Sequence, residues 1–140
     1  MVVLRGPVMA VDVDDTIVSW DDSKFSPEQP RIEIEHMSGY PEFAIINEPL
    51  VEHIKRMKRR GHYIVIWSGG EFGWAESVVK ALGLEPYVDV VCSKFKYHMD
   101  DKRDPKDKLG SWSYIGFDGK VYREDNSGNV IEHKGEIDEN

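Results

Sequence analysis

A chain of 140 residues with 40% hydrophobic and 31% charged side chains has the size and composition of one globular domain, long enough for a core and too short for two. Its formal net charge of -8 argues against electrostatic attachment to nucleic acid or an anionic membrane, and leaves open a small phosphorylated ligand held by a metal ion and a few local cations. No apolar run approaches the roughly 20 residues of a membrane span, and the N-terminus carries no signal-peptide pattern, so the expected location is the cytoplasm.

The first apolar run, Val8-Met9-Ala10-Val11, stops abruptly at Asp12-Val13-Asp14-Asp15-Thr16. Such a run predicts a strand buried in a parallel sheet, and ligands of such sheets bind beyond the carboxyl ends of the strands, where these acids stand. Crowded carboxylates repel one another and lose hydration, so a divalent cation with oxygen preference, Mg2+, is the expected compensation. Residues 18–46 then read as a flap or hairpin. It carries Asp21, Asp22, Glu28, Glu33, Glu35 and Glu42 against Lys24 and Arg31, which disfavours a long polyanion crossing it. Within it the alternation Arg31-Ile32-Glu33-Ile34-Glu35 predicts a short exposed strand. Trp20, Phe25 and Tyr40 suit stacking on a nucleobase and packing in a core equally well.

Asn47 predicts a helix N-cap, with Pro49 in the first turn and Leu50, Val51, Ile54 and Met57 at helical spacing until Gly61. The basic cluster Lys55-Arg56-Met57-Lys58-Arg59-Arg60 closes this helix and reads as a solvated end that offsets the macrodipole. A second buried strand over residues 63–67 stops at Ser68-Gly69-Gly70. An amphipathic helix follows over residues 74–82, with Ala75, Val78, Val79 and Leu82 on one face and Gly83 at its close. A third strand is expected over residues 88–92, with the single cysteine, Cys92, as a small core residue rather than a reactive thiol. One cysteine and five scattered histidines leave no zinc constellation.

This alternation of strand and helix predicts an α/β fold with right-handed crossovers and a three-layer, Rossmann-like parallel sheet, in which Ser68 emerges at the same sheet edge as Asp12. Residues 93–110 are polar. Beyond them, short strands over residues 112–117, 121–123 and 129–131 are joined by turns at Asp118-Gly119 and Asn126-Ser127-Gly128, giving a C-terminal β-hairpin region over 111–133. Residues 1–133 are expected to form the single domain, and 134–140 a frayed tail.

Three features thus share one sheet edge in chain order: an Asp-x-Asp-x-Thr run (VMAVDVDDT, residues 8–16), a Ser-Gly after the second strand (IVIWSGG, residues 64–70), and lysines followed by Asp100-Asp101 after the third. Together they resemble the haloacid dehalogenase (HAD) superfamily of phosphotransferases over most of residues 5–101. The short reach between the first two motifs is similar to that of small, nearly capless members found among bacterial and phage proteins. The resemblance implies an enzyme, a Mg2+-dependent phosphomonoester hydrolase. Asp12 would be the nucleophile that forms an aspartyl-phosphate, and Asp14 the general acid and base whose backbone carbonyl also ligates Mg2+. Thr16 would tie the turn, and Ser68 with the Gly69 amide would hold phosphoryl oxygens.

For the balancing cation the resemblance favours Lys94, with Lys96 and Lys80 as alternatives. Asp101 would ligate Mg2+ directly and Asp100 would act through water or orient Lys94; Asp118 is the competing candidate for this last acidic motif. Asp15 departs from the family's usual glycine. With no large cap, specificity would come from residues 18–46 or another subunit. The implied substrate is a phosphorylated small molecule, a nucleotide or sugar phosphate, with nucleic acid and membrane not expected as partners and the oligomeric state open. The alternative is a catalytically degenerate HAD-like domain that binds a nucleotide, a sugar phosphate or a protein; intact Asp12 and Asp14 argue against it. Two rivals fail. A calcium-binding EF-hand loop starting at Asp12 would need Gly at Ile17 and Glu at Ser23. A receiver domain would need an aspartate at the end of the second strand, where Ser68 stands.

Overall fold

The apolar runs that end at Asp12 and at Ser68 lie side by side in the computed structural model, which describes residues 6–20, 30–35, 41–70, 72–101, 103 and 109–134. In chain order the elements are β1 (Val8–Asp12), β2 (Val18–Ser19), β3 (Arg31–Glu35), β4 (Pro41–Ile46), α1 (Glu48–Arg59), β5 (Tyr63–Ser68), α2 (Phe72–Ala81), a 3-10 turn (Glu85–Tyr87), β6 (Val90–Ser93), β7 (Ser113–Ile115), β8 (Val121–Glu124) and β9 (Val130–His133). They make one parallel sheet in the order β1-β5-β6 and two antiparallel sheets, β2-β4-β3 and β7-β8-β9. The fold is therefore mixed α/β. No helix among the described residues is long and apolar enough to cross a membrane.

The β-branched content of β1 and β5 suits a pleated, packed surface, and their register sets Val11 opposite Ile66 and Asp12 opposite Trp67. Because side chains alternate across a sheet, one face carries Val11, Ile64 and Ile66, all buried, in a single cluster with Leu50, Val51, Ile54 and Met57 of α1 and Trp74, Ala75, Val78 and Val79 of α2. At about 1.5–3 kcal/mol for each fully buried Val, Leu, Ile or Met side chain, this cluster dominates the stability. The other face is barely covered: Val8 is 65% exposed and Ala10 is exposed as well. The apolar runs thus read correctly as strands, but only one of their faces is buried. Cys92, expected in the core, is a free thiol at intermediate exposure, because its register with Trp67 puts it on the less covered face. The expected helical layer on that face is not supplied by α1 or α2, whose apolar faces serve the same core.

Residues 18–46 are more than a flap. Within β2-β4-β3, Val18, Ile34 and Ala44 are fully buried and belong to the core cluster, while Arg31, Glu33 and Glu35 of β3 face solvent. Phe25 and Tyr40, the acids Asp21, Asp22 and Glu28, and the tail 135–140 lie outside the described residues. The three short C-terminal strands expected from the sequence are present and pair as an antiparallel meander, β7-β8-β9. Its turns use Gly119 and Gly128 at φ +82° and +84°, a conformation glycine adopts without strain.

At the end of the parallel sheet away from the acids, Asp89 ties three elements together. Its backbone N–H donates to the Ile64 carbonyl at 2.9 Å, its Oδ2 accepts from the Ile64 N–H at 2.7 Å, and its Oδ1 pairs with Lys58 Nζ at 2.6 Å. Burial pushes this carboxyl up, and the Ile64 amide and the Lys58 ammonium together outweigh that, so it sits below its ordinary value. Lys58 is thus not simply part of a solvated helix end.

Candidate functional site

Past Asp12 the chain turns back on itself within six residues. The Val13 carbonyl accepts from the N–H groups of Thr16, Ile17 and Val18 at 3.2, 2.9 and 3.3 Å, and the Asp15 N–H donates to the Val18 carbonyl at 2.8 Å. Val13 and Ile17 are fully buried and anchor the turn, leaving Asp14 and Asp15 exposed and Asp12 half-buried. The reversal needs one left-handed residue, and Asp15 takes that role at φ +60°. Asp is among the few non-glycine residues that tolerate it. Its side chain accepts from Ser19 Oγ at 2.6 Å, and its carbonyl accepts from the Tyr114 hydroxyl at 3.3 Å.

Asn47 holds this turn from below. It is fully buried; its Nδ2 donates to the carbonyls of Thr16 at 2.8 Å and Ile115 at 2.7 Å, and its Oδ1 caps α1 by accepting from the Leu50 N–H at 3.2 Å. One amide therefore joins the acidic turn, the first helix and the C-terminal sheet.

The carboxylate of Asp12 is held on both oxygens. Lys94 Nζ lies 3.0 Å from Oδ1, and Thr16 Oγ1 donates to Oδ2 at 2.9 Å. Lys94 reaches Asp12 because its backbone N–H donates to the Ser68 carbonyl at 2.8 Å, which extends the β5-β6 pairing by one residue. Its ammonium also lies 5.9 Å from the Trp67 ring centroid. Asp14 is bound differently: the Trp74 indole N–H donates to its Oδ1 at 2.8 Å. Ser68 is buried, and its Oγ accepts from the Gly70 N–H at 3.2 Å, leaving its own hydrogen available to donate. The adjacent Gly69 is exposed.

Of the residues expected at the site, the structure brings Asp12 and Lys94 into contact and sets Ser68 on the neighbouring strand. It does not assemble the four-carboxylate set of Asp12, Asp14, Asp100 and Asp101, because among the described residues no three Asp, Glu, His or Cys side chains gather as a metal-holding group. Asp100 and Asp101 are exposed beyond β6. Lys96 and Lys80 are exposed, whereas Lys94 makes the pair. Asp118 is a turn former, its Oδ1 accepting from the Lys120 N–H at 2.9 Å. The side-chain donors that the β1 turn offers, the Asp12 and Asp14 carboxylates, are hard oxygens. That set fits Mg2+, which keeps several waters and binds through one or two carboxylates plus substrate phosphate.

One residue at the site, Trp74, escaped sequence reasoning. Trp74 was legible only as the start of the amphipathic segment 74–82, and the signal that it does more is chemical: a buried indole N–H needs an acceptor. Trp20, which suits base stacking and core packing equally well, stacks on Trp74 with centroids 5.4 Å apart; the identity of its partner comes from the tertiary structure. Compared with protein-family models, with curated proteins and with solved structures, the chain matches none.

Proposed function

We propose that this protein is a Mg2+-dependent phosphomonoester hydrolase of HAD type, built on a reduced Rossmann-like core, with Asp12 as its nucleophile. The observation that supports the reading best is the state of Asp12: a carboxylate at the carboxyl end of a parallel strand, clamped by Lys94 and Thr16. The Lys94 and Asp12 side chains are 42% and 33% exposed, and a pair so solvated adds about 0–1 kcal/mol to stability. Stability alone is a weak reason for it. A cation beside a nucleophilic carboxylate has a clear chemical purpose, because a phosphate dianion and a carboxylate repel.

In this reading Lys94 offsets the charge of Asp12 and of an incoming phosphoryl group, and the Ser68 hydroxyl and Gly69 amide hold phosphoryl oxygens. The Asp12 carboxylate attacks phosphorus; the phosphorus–oxygen bond to the alcohol breaks, and Asp14 gives its proton to the departing oxygen. Asp14 then takes a proton from water, which attacks the aspartyl-phosphate at phosphorus and frees Asp12 and inorganic phosphate. Asp12 and the Asp14 carbonyl would hold Mg2+, which when bound neutralises charge on the phosphoryl oxygens. The proposed substrate is a phosphorylated small molecule.

The test is Mg2+-dependent hydrolysis of p-nitrophenyl phosphate by wild type and Asp12→Asn. Hydrolysis by wild type, abolished in the variant, is expected. Equal hydrolysis by the two would defeat the assignment of Asp12 as nucleophile, and no hydrolysis by wild type would favour a binding domain instead.

A further inference from the structure

We propose that Trp74 is a positioning residue that sets the orientation of the Asp14 carboxylate, and that Trp20 locks it in place; this rests on the phosphatase reading above. The indole N–H reaches Asp14 Oδ1 at 2.8 Å, and the ring is only 7% exposed. A buried indole packed in a helix has few conformations, so its N–H defines a direction in space. An exposed aspartate does not: Asp14 is exposed, and without a partner its carboxylate would sample several rotamers in water.

The surroundings fix the indole from a second side. Asp14 forms an isolated bridge with Val18 across the tight turn that follows β1, and Trp20, two residues beyond Val18, stacks on Trp74 with rings inclined by 30°. The short ribbon that carries the acid therefore also carries the ring that covers its partner. Trp74 belongs to α2, whose first turn follows Ser68-Gly69-Gly70. One side chain thereby links the acidic turn to the connection bearing the phosphate-binding candidates. A proton donor must lie in hydrogen-bond reach of the leaving oxygen, and small misplacements of such a group are costly to turnover. Trp74 supplies this alignment through Asp14 without touching substrate.

The experiment compares wild type with Trp74→Phe, which keeps an aromatic ring and removes the N–H donor, in steady-state hydrolysis of p-nitrophenyl phosphate with Mg2+. Expected is a fall in kcat of about tenfold or more with KM within about twofold, as for a group that acts mainly in the transition state. Independently of turnover, the Trp74 indole 1H–15N resonance of the metal-free protein is expected to move upfield in Asp14→Asn, while those of Trp67 and Trp112 stay in place. Unchanged kcat in Trp74→Phe, with wild type active, overturns the positioning role and leaves the phosphatase reading standing. An indole resonance indifferent to Asp14→Asn removes the contact on which the role depends. A wild type without hydrolysis defeats the phosphatase reading and the role together, whatever the resonance does.

Discussion

Lys94 Nζ stands 3.0 Å from Asp12 Oδ1, although 81 residues lie between the two in the chain. The pair exists because β1 and β6 flank β5 and both stop at its carboxyl end. Its partial exposure means that its removal should scarcely register in stability. Lys94→Ala is expected to change the unfolding free energy by less than about 1 kcal/mol and to lower kcat/KM for an aryl phosphate by roughly 100-fold or more. Urea unfolding and steady-state kinetics on the same preparation check both halves.

Asn47 presents the opposite balance. Its side chain makes three hydrogen bonds in a fully buried position, so Asn47→Ala strands two carbonyls and one amide. A loss of about 3 kcal/mol or more is expected, from the lost cap and the unsatisfied buried groups. Chemical denaturation followed by tryptophan fluorescence measures it, and a loss under about 1 kcal/mol would contradict the strut role.

At Asp15 the backbone itself makes the prediction. With φ at +60°, Asp15→Ala places a β-carbon in the left-handed region without the side-chain bond to Ser19, at an expected cost of about 1–2 kcal/mol. Asp15→Gly removes the same bond and relieves the backbone, so it should cost less. If glycine proves the more destabilising of the two in thermal unfolding, the turn is not strained in the way described.

The Asp89 carboxyl sits below its ordinary value of 3.8, so the folded state holds its proton less tightly than the unfolded chain. Linkage then makes its contribution complete above the unfolded pKa and lost as the pH falls through the lowered folded pKa. Wild type should therefore lose stability relative to Asp89→Asn on acidification below about pH 4. At neutral pH Asp89→Asn should be the less stable of the two. Unfolding curves at pH 7 and pH 3 decide the matter; a difference independent of pH would show that the carboxylate charge is not what matters.

The positions of the main elements were legible because local physics dictates them. The runs ending at Asp12 and Ser68 are strands, Asn47 caps a helix that Gly61 ends, and Gly119 and Gly128 mark tight turns, each from residue type and spacing alone. What spacing does not carry is the other side of a strand. Continuous apolar runs suggested burial on both faces, and the structure covers one, which also moves Cys92 out of the core.

The site divides along the same line. Asp12, Asp14, Ser68 and Lys94 could be placed at one sheet edge from their sequence positions, since the direction of a parallel strand decides where its end lies. That Asp12 is clamped by Lys94 and Thr16, that Asp14 leans on Trp74 rather than joining Asp100 and Asp101, and that Asn47 binds three elements were decided only by tertiary packing. Hydrogen bonds between segments dozens of residues apart depend on distances of a few tenths of an ångström, and no periodicity along the chain encodes those.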